Sequence, residues 1–381
     1  MKSMIYLDNA ATTIKKPDSV LRTLYEVSRK YAANAGHGGH RLALAASELI
    51  YGAAEQAAEL FGITAPETIA FTCNTTLALN MAIKGVLRRG GHVIITSMEH
   101  NSVIRPVVSL GCDYTVVRAD ETGFVDPDDI VRAIRADTRL IVVNHASNVC
   151  GTVQDIGRIG RIASDRGILF LVDSAQSGGC VEIDVEKMHI DMLAFAGHKG
   201  LMGPQGTGGL YVRSGILLDT ILEGGSGSQS ESAYQPDDMP DHLVSGTMNT
   251  PAIAALAQGI KFIRKAGVNN ILAHEKQLAA RFIEAMQNIE GVQVYAAQAK
   301  ERVGVVSINI DGMDPVTVAQ ILDEQYHIAV RSGLHCAPLA HETLGTIRSG
   351  TVRFSFSYYT TRAEIDAAIL AVQKICKSRK V

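Results

Sequence analysis

Short apolar runs rich in β-branched residues alternate, through the first half of the chain, with longer stretches whose apolar positions recur every three to four residues. The runs at residues 140–144 and 169–173 are apolar at nearly every position, the pattern of a strand buried on both faces. The same reading places strands at 68–72, 92–97, 113–117, 192–196 and 208–212, with helical periodicity at 76–88, 127–136 and 155–166. Strand, helix, strand in repetition predicts an α/β fold with a largely parallel sheet covered on both faces. The segments 192–196 and 208–212 lie too close for a crossover helix, so the second is expected to run antiparallel.

Beyond residue 250 the pattern changes. Helices are expected at 252–266, 269–289, 315–326 and 362–374, and strands at 292–295, 305–310, 328–331 and 351–357. This smaller α+β unit reads as a second domain. The glycine- and serine-rich residues 224–230 before it read as a linker or, better, a mobile surface loop.

Composition narrows the function classes. Of 381 residues 46% are hydrophobic and 20% charged, a globular balance. Lys plus Arg number 36 against 39 Asp plus Glu, a net charge of −3 without long like-charge runs, so neither nucleic acid nor an anionic membrane is an expected partner. No apolar stretch approaches the roughly eighteen residues that span a bilayer, and the N-terminus lacks a signal-peptide core, so a cytoplasmic location is expected. Six cysteines stand outside any CxxC pair, which argues against a disulfide framework and against a metal site.

Four stretches carry chemistry. His198-Lys199 follows an apolar strand and precedes a glycine-dense loop; most lysines are surface residues, but one at a strand's carboxyl end can have its pKa lowered and form a Schiff base. Asp173 ends another apolar run, either as a helix N-cap or as the carboxylate that keeps a pyridoxal ring nitrogen protonated. Thr75-Thr76 open a helix, where capping is the ordinary role and phosphate binding the functional one. Neither a Walker A motif nor GxGxxG is present, which disfavours an ATPase or a dinucleotide enzyme. His100, alone an ordinary histidine, is placed to stack on a flat ring. Near the other end, Arg331-Ser-Gly-Leu-His335-Cys336 sets a cysteine five residues after an arginine, and Arg353 sits in an apolar run, where a buried guanidinium wants a carboxylate. Cys73 and Cys180 also adjoin these loops.

With these residues assembled, the chain resembles the cysteine desulfurases of the class V aminotransferase family, fold-type I pyridoxal 5′-phosphate enzymes. The marks run nearly end to end: Leu7-Asp-Asn-Ala-Ala-Thr-Thr13, Thr75-Thr76, Glu99-His100, Ser147-Asn148-Val-Cys-Gly151, Asp173-Ser-Ala-Gln176, Gly197-His198-Lys199 and the Arg331-to-Cys336 loop. That short loop is similar to the group that also accepts selenocysteine. The resemblance implies a mostly parallel seven-stranded sheet in a large domain over residues 16–250, and a small domain over 251–381 joined by residues 1–15. It implies that Lys199 holds the cofactor, Asp173 pairs with the ring nitrogen, Gln176 and Asn148 contact the ring hydroxyl, and His100 stacks on the ring. Thr75, Thr76 and His198 would bind the phosphate, with Thr247 reaching the phosphate of a neighbouring subunit in a homodimer. Arg353, with Asn148 and Arg331, would bind the substrate carboxylate, and Cys336 would be the nucleophile. Arg331 and His335 are the expected cations lowering its thiol pKa. The implied reaction converts L-cysteine to alanine and passes sulfur through Cys336 to an acceptor protein, for iron–sulfur or other thio-cofactor supply. The alternatives are a selenocysteine lyase acting on L-selenocysteine, a β-eliminating cysteine lyase, or a non-catalytic scaffold. Two positions depart from relatives, which usually carry Ser or Thr where this chain has Ala196 and an arginine near His37.

Overall fold

The apolar runs form one seven-stranded sheet in the computed structural model, which describes residues 4–36 and 39–378. Its order is Ile69–Thr72, Gly208–Val212, Met192–Ala196, Leu169–Asp173, Thr138–Asn144, His92–Thr96 and Tyr114–Val117. Gly208–Val212 is antiparallel to both neighbours, as its short connection requires, and the other pairings are parallel. Successive residues enter opposite cores. Ile141 and Val143 pack with Phe170, Val172, Leu193 and Phe195, whereas Leu140 and Val142 pack with Val93, Ile95 and Leu171. Burial on both faces is why these strands read as unbroken apolar runs.

Four helices lie outside the expected set: Asp18–Lys30, Arg41–Phe61, Asn101–Leu110 and the six-residue Pro338–Thr343. Arg41–Phe61 buries mostly alanines, which give little contrast between its faces, and Asn101–Leu110 is short and contains Pro106. Thr250–Ala266, expected to begin the C-terminal unit, buries Ile253, Leu256, Ala257 and Ile260 in the same core as Phe195 of the large sheet. The glycine-serine stretch before it therefore lies within the large unit rather than between two units. His37 lies outside the described residues.

A four-stranded antiparallel sheet, ordered Arg331–Gly333, Thr351–Ser355, Val305–Ile310 and Val292–Val294, carries the second core. Helices Val268–Gln287, Pro315–Tyr326 and Arg362–Ser378 cover it, with the Phe282 and Phe354 rings 4.6 Å apart. The strand expected at 328–331 is two: Ile328–Ala329 pairs in parallel with Ile5–Tyr6, and Arg331–Gly333 edges the four-stranded sheet. Leu7 enters this second core, so the N-terminal segment starts there before crossing to the large sheet. Among the described residues, no helix is long and apolar enough to cross a membrane, and no cluster of His, Cys, Asp or Glu is placed to hold a metal ion.

Candidate active site

Loops leaving the carboxyl ends of parallel strands converge at one edge of the sheet, where ligands of α/β folds bind. Asn144 and Asp173 end adjacent strands in register. His100 follows His92–Thr96, His198 and Lys199 follow Met192–Ala196, and Thr75 and Thr76 open the helix Thr75–Leu87. One cavity gathers Thr75, Thr76, His100, Asn148, Asp173, Gln176, His198 and Lys199, residues that span 124 positions of sequence from first to last. Thr247 is exposed on the loop before Thr250–Ala266 and does not line it.

The low-dielectric setting tunes these groups. Burial pushes the Lys199 ammonium down to about 8, with Asp173 opposing the shift and Arg353 adding to it. Asp173 is 3% exposed and accepts the Ala175 amide at 2.9 Å. Burial raises its carboxyl pKa, against the pull of the Ala175 amide and Lys199. His100 caps the helix Asn101–Leu110, its Nδ1 accepting the Ser102 amide at 3.1 Å. Burial, reinforced by Lys199 and nearby arginines, takes His100 to about 4, so at neutral pH the ring is uncharged with its proton on Nε2.

The cavity fits the group that the resemblance implies. Thr75 Oγ1 and Asn148 Oδ1 line it as buried oxygens without partners among the described residues, and a buried polar atom left unpaired costs about 1–3 kcal/mol. Asn74 Oδ1 caps the Leu77 amide at 2.9 Å, leaving the first-turn amides of Thr75 and Thr76 for an anion. Ala196 is buried opposite Gly208 and supplies no hydroxyl. Ser102, which sequence reasoning missed, does so: its Oγ lies 2.8 Å from Thr76 Oγ1 and 2.9 Å from His100 Nδ1.

Glu99, fully buried behind this edge, accepts from Thr96 Oγ1 at 2.7 Å and the Asn144 amide at 2.9 Å, while its Oε2 has no partner. Burial pushes its carboxyl up to about 8, so the native state holds a proton that the unfolded chain releases above its ordinary 4.5. The contribution of Glu99 to native stability therefore falls as pH rises from 4.5 to about 8. Glu99→Gln is expected to gain stability over the native protein across that window and to hold the gain above it. Urea titrations at pH 5 and pH 9 check this, and a gain equal at both would contradict it.

Cys336 stands exposed between Arg331–Gly333 and the short helix Pro338–Thr343. His335 and Cys336 both adopt left-handed backbone, φ +48° and +58°, an arrangement that persists only where the surroundings impose it. Asn148 Nδ2 donates to the His335 carbonyl at 2.7 Å, and the Asn101 amide donates to the Cys336 carbonyl at 2.7 Å. Asn148 lines the cavity, and Asn101 directly follows His100, which also lines it. Arg331 lies 3.6 Å from Cys336 Sγ through a terminal nitrogen. His335 does not act as the second cation. It is buried, its Nε2 lies 3.0 Å from Thr351 Oγ1, and burial with the charge of Arg353 drives its pKa down to about 2. Cys180 is buried too, its thiol donating to the Gln176 carbonyl at 3.2 Å, and burial pushes its pKa up, away from thiolate chemistry. Cys73 is exposed next to the capping Asn74.

Arg353 is 1% exposed, donating to Asp8 at 2.8 Å and to the Asn148 carbonyl at 3.0 Å, with Nε unpaired. Its guanidinium thus keeps donors for a further carboxylate beside Asp8. Asp8 lies 345 positions away in sequence, so nothing in the local pattern could show the pairing. Removing one partner of a buried pair strands the other charge, so Asp8→Ala is expected to lower unfolding stability by about 2–3 kcal/mol. An unchanged urea midpoint would contradict this.

The class-V aminotransferase family model matches residues 5–368. A probable cysteine desulfurase of Methanothermobacter thermautotrophicus is 39% identical over 374 residues, 96% of this chain and 93% of that protein. The cysteine desulfurase of Haloferax volcanii is 30% identical, over 97% of this chain and 88% of its own length. Among solved structures, the apo cysteine desulfurase from Thermococcus onnurineus NA1 superposes with a TM-score of 0.92 at 35% identity, covering 98% of this chain and 95% of that one. A match of this extent establishes that the chain belongs to the class-V aminotransferase family.

Proposed function

We propose that the chain is a pyridoxal 5′-phosphate-dependent cysteine desulfurase that converts L-cysteine to L-alanine and retains the sulfur on Cys336 as a persulfide. The observation that carries this reading is the Cys336 loop, whose two backbone anchors are the cavity residue Asn148 and the residue after His100. An exposed thiol is thereby tethered to the wall of a site built around a low-pKa lysine. Pyridoxal 5′-phosphate, when bound, supplies an aldehyde for amines and a ring that accepts the electron pair left at the substrate Cα.

The chain's own residues account for the rest. Lys199 Nζ would hold the cofactor and serve as the base at the substrate Cα, a task its lowered pKa suits at neutral pH. Asp173 would hold the ring nitrogen of the bound cofactor protonated; Lys199 nearby favours the ionised carboxylate this requires, against the burial that raises the Asp173 pKa. Neutral His100 presents a flat ring with its proton on Nε2, and Gln176 and Asn148 face the ring hydroxyl. Thr75, Thr76, Ser102 and His198 take the phosphate at the helix N-terminus. Arg353 binds the substrate carboxylate. Arg331 lies 3.6 Å from the thiol of Cys336, which as thiolate attacks the substrate sulfur. The S–S bond forms as the substrate Cβ–S bond breaks, and protonation of the carbon fragment yields alanine.

The reading extends to a homodimer in which Thr247 reaches the neighbouring subunit's phosphate, and to an acceptor protein that takes the persulfide sulfur. The test supplies native protein with L-cysteine and dithiothreitol. Equal release of alanine and sulfide is expected, and no alanine would overturn the proposal.

A further inference from the structure

Residues 8–16 touch three parts of the site. Asp8 holds Arg353, the Ala10 carbonyl accepts from Gln176 Nε2 at 3.0 Å, and Thr12 Oγ1 lies 3.0 Å from His198 Nδ1. Their strongest convergence is on one atom, the His198 carbonyl oxygen, which joins the two residues facing the cavity. Four donors lie within reach of it: the Lys16 ammonium at 2.8 Å, the Thr13 hydroxyl at 3.1 Å, and the Thr13 amide and Thr12 hydroxyl at 3.3 Å each. A carbonyl oxygen accepts about two good bonds, so the shortest and only charge-assisted donor dominates. Lys16 Nζ also donates to Thr13 Oγ1, tying the strap to itself.

We propose that Lys16 is a positioning residue for Lys199, fixing the His198–Lys199 peptide so that the lysine amine and the His198 ring meet the cofactor together. The other side of that peptide is already immobile. A Cβ on Gly197 would collide with Thr207, and one on Gly200 with the Gly178 carbonyl. Lys16 closes the remaining side. It is itself anchored, because Pro17 begins the helix Asp18–Lys30 and Ile5–Tyr6 pairs with Ile328–Ala329. With the Thr12 hydroxyl donating to His198 Nδ1 rather than to the carbonyl, the ring proton sits on Nε2, which has no partner among the described residues and is available to a phosphate. Desolvation lowers the Lys16 pKa to about 8, so the ammonium remains the main form at neutral pH.

The inference rests on the reading of Lys199 as the cofactor-holding residue, and its test reads cofactor retention rather than desulfuration. Native protein, Lys16→Met and Lys16→Arg, each loaded with pyridoxal 5′-phosphate at pH 7, are diluted into a trap, and the bound-cofactor absorbance is followed. Borohydride reduction and peptide mass mapping report the fraction attached at Lys199. Lys16→Met is expected to release cofactor about tenfold faster, while Lys16→Arg, which keeps a cationic donor, stays within about threefold of native. Melting of the cofactor-free proteins is expected to be nearly unchanged, and Lys16→Gln repeats the comparison with a polar neutral side chain. Equal release rates, or a loss that arginine does not restore, would overturn the inference. Native protein that takes up no cofactor would overturn it together with the proposed function.

Discussion

Lys199→Ala is expected to lower alanine formation from L-cysteine by at least about 10³-fold, because one amine serves both as cofactor attachment and as the base at Cα. The structure gives that amine two properties an ordinary surface lysine lacks. Its pKa stands near 8 instead of 10.5, so a usable fraction is neutral at physiological pH. It also has no hydrogen-bond partner among the described residues, with Asp173 and Arg353 acting on it only through their charges. Lys199→Arg is expected to fare no better, since a guanidinium stays protonated and cannot act as nucleophile or base. The measurement is alanine release by each variant, with cofactor content recorded by absorbance after dialysis. A variant that kept a tenth of native turnover would show that another group removes the Cα proton.

How much of this was legible in the sequence depends on the range of the interaction. The parallel strands were, because residues such as 140–144 and 169–173 are buried on both faces and show it as continuous apolar runs. The antiparallel Gly208–Val212 followed from a connection too short for anything else. Arg41–Phe61 was not, since a helix that buries alanines carries its message in small volumes rather than in hydrophobic contrast. The cavity residues on strand ends and helix starts were found one by one, and the fold brings eight of them together. Missed were the groups that act across the fold. Ser102 looks like any helix serine until its hydroxyl bridges Thr76 and His100. Asp8 sits in a motif noticed for its resemblance and Lys16 three residues beyond it, but their partners Arg353 and His198 lie far along the chain. His335 failed in the other direction: its place beside Cys336 suggested a cation, and only burial shows that it is neutral.

Cys336→Ser is expected to abolish persulfide formation while leaving the cofactor bound, because the thiol stands on the loop outside the cavity and no cavity residue bonds its side chain. The serine hydroxyl fits the same backbone but is a far weaker acid and nucleophile than a thiol, so it does not attack sulfur. Loss of turnover by about 10³-fold or more follows, since without the nucleophile the substrate sulfur has no acceptor. In the native protein Arg331, 3.6 Å from Sγ, is the cation beside the thiol. The most direct test compares native and Cys336→Ser proteins supplied with L-cysteine and dithiothreitol, following alanine and sulfide together with cofactor absorbance. The account predicts full cofactor binding in both and sulfur release only in the native protein; equal sulfide release from the serine variant would contradict it, and sulfide without alanine would mark a direct β-elimination.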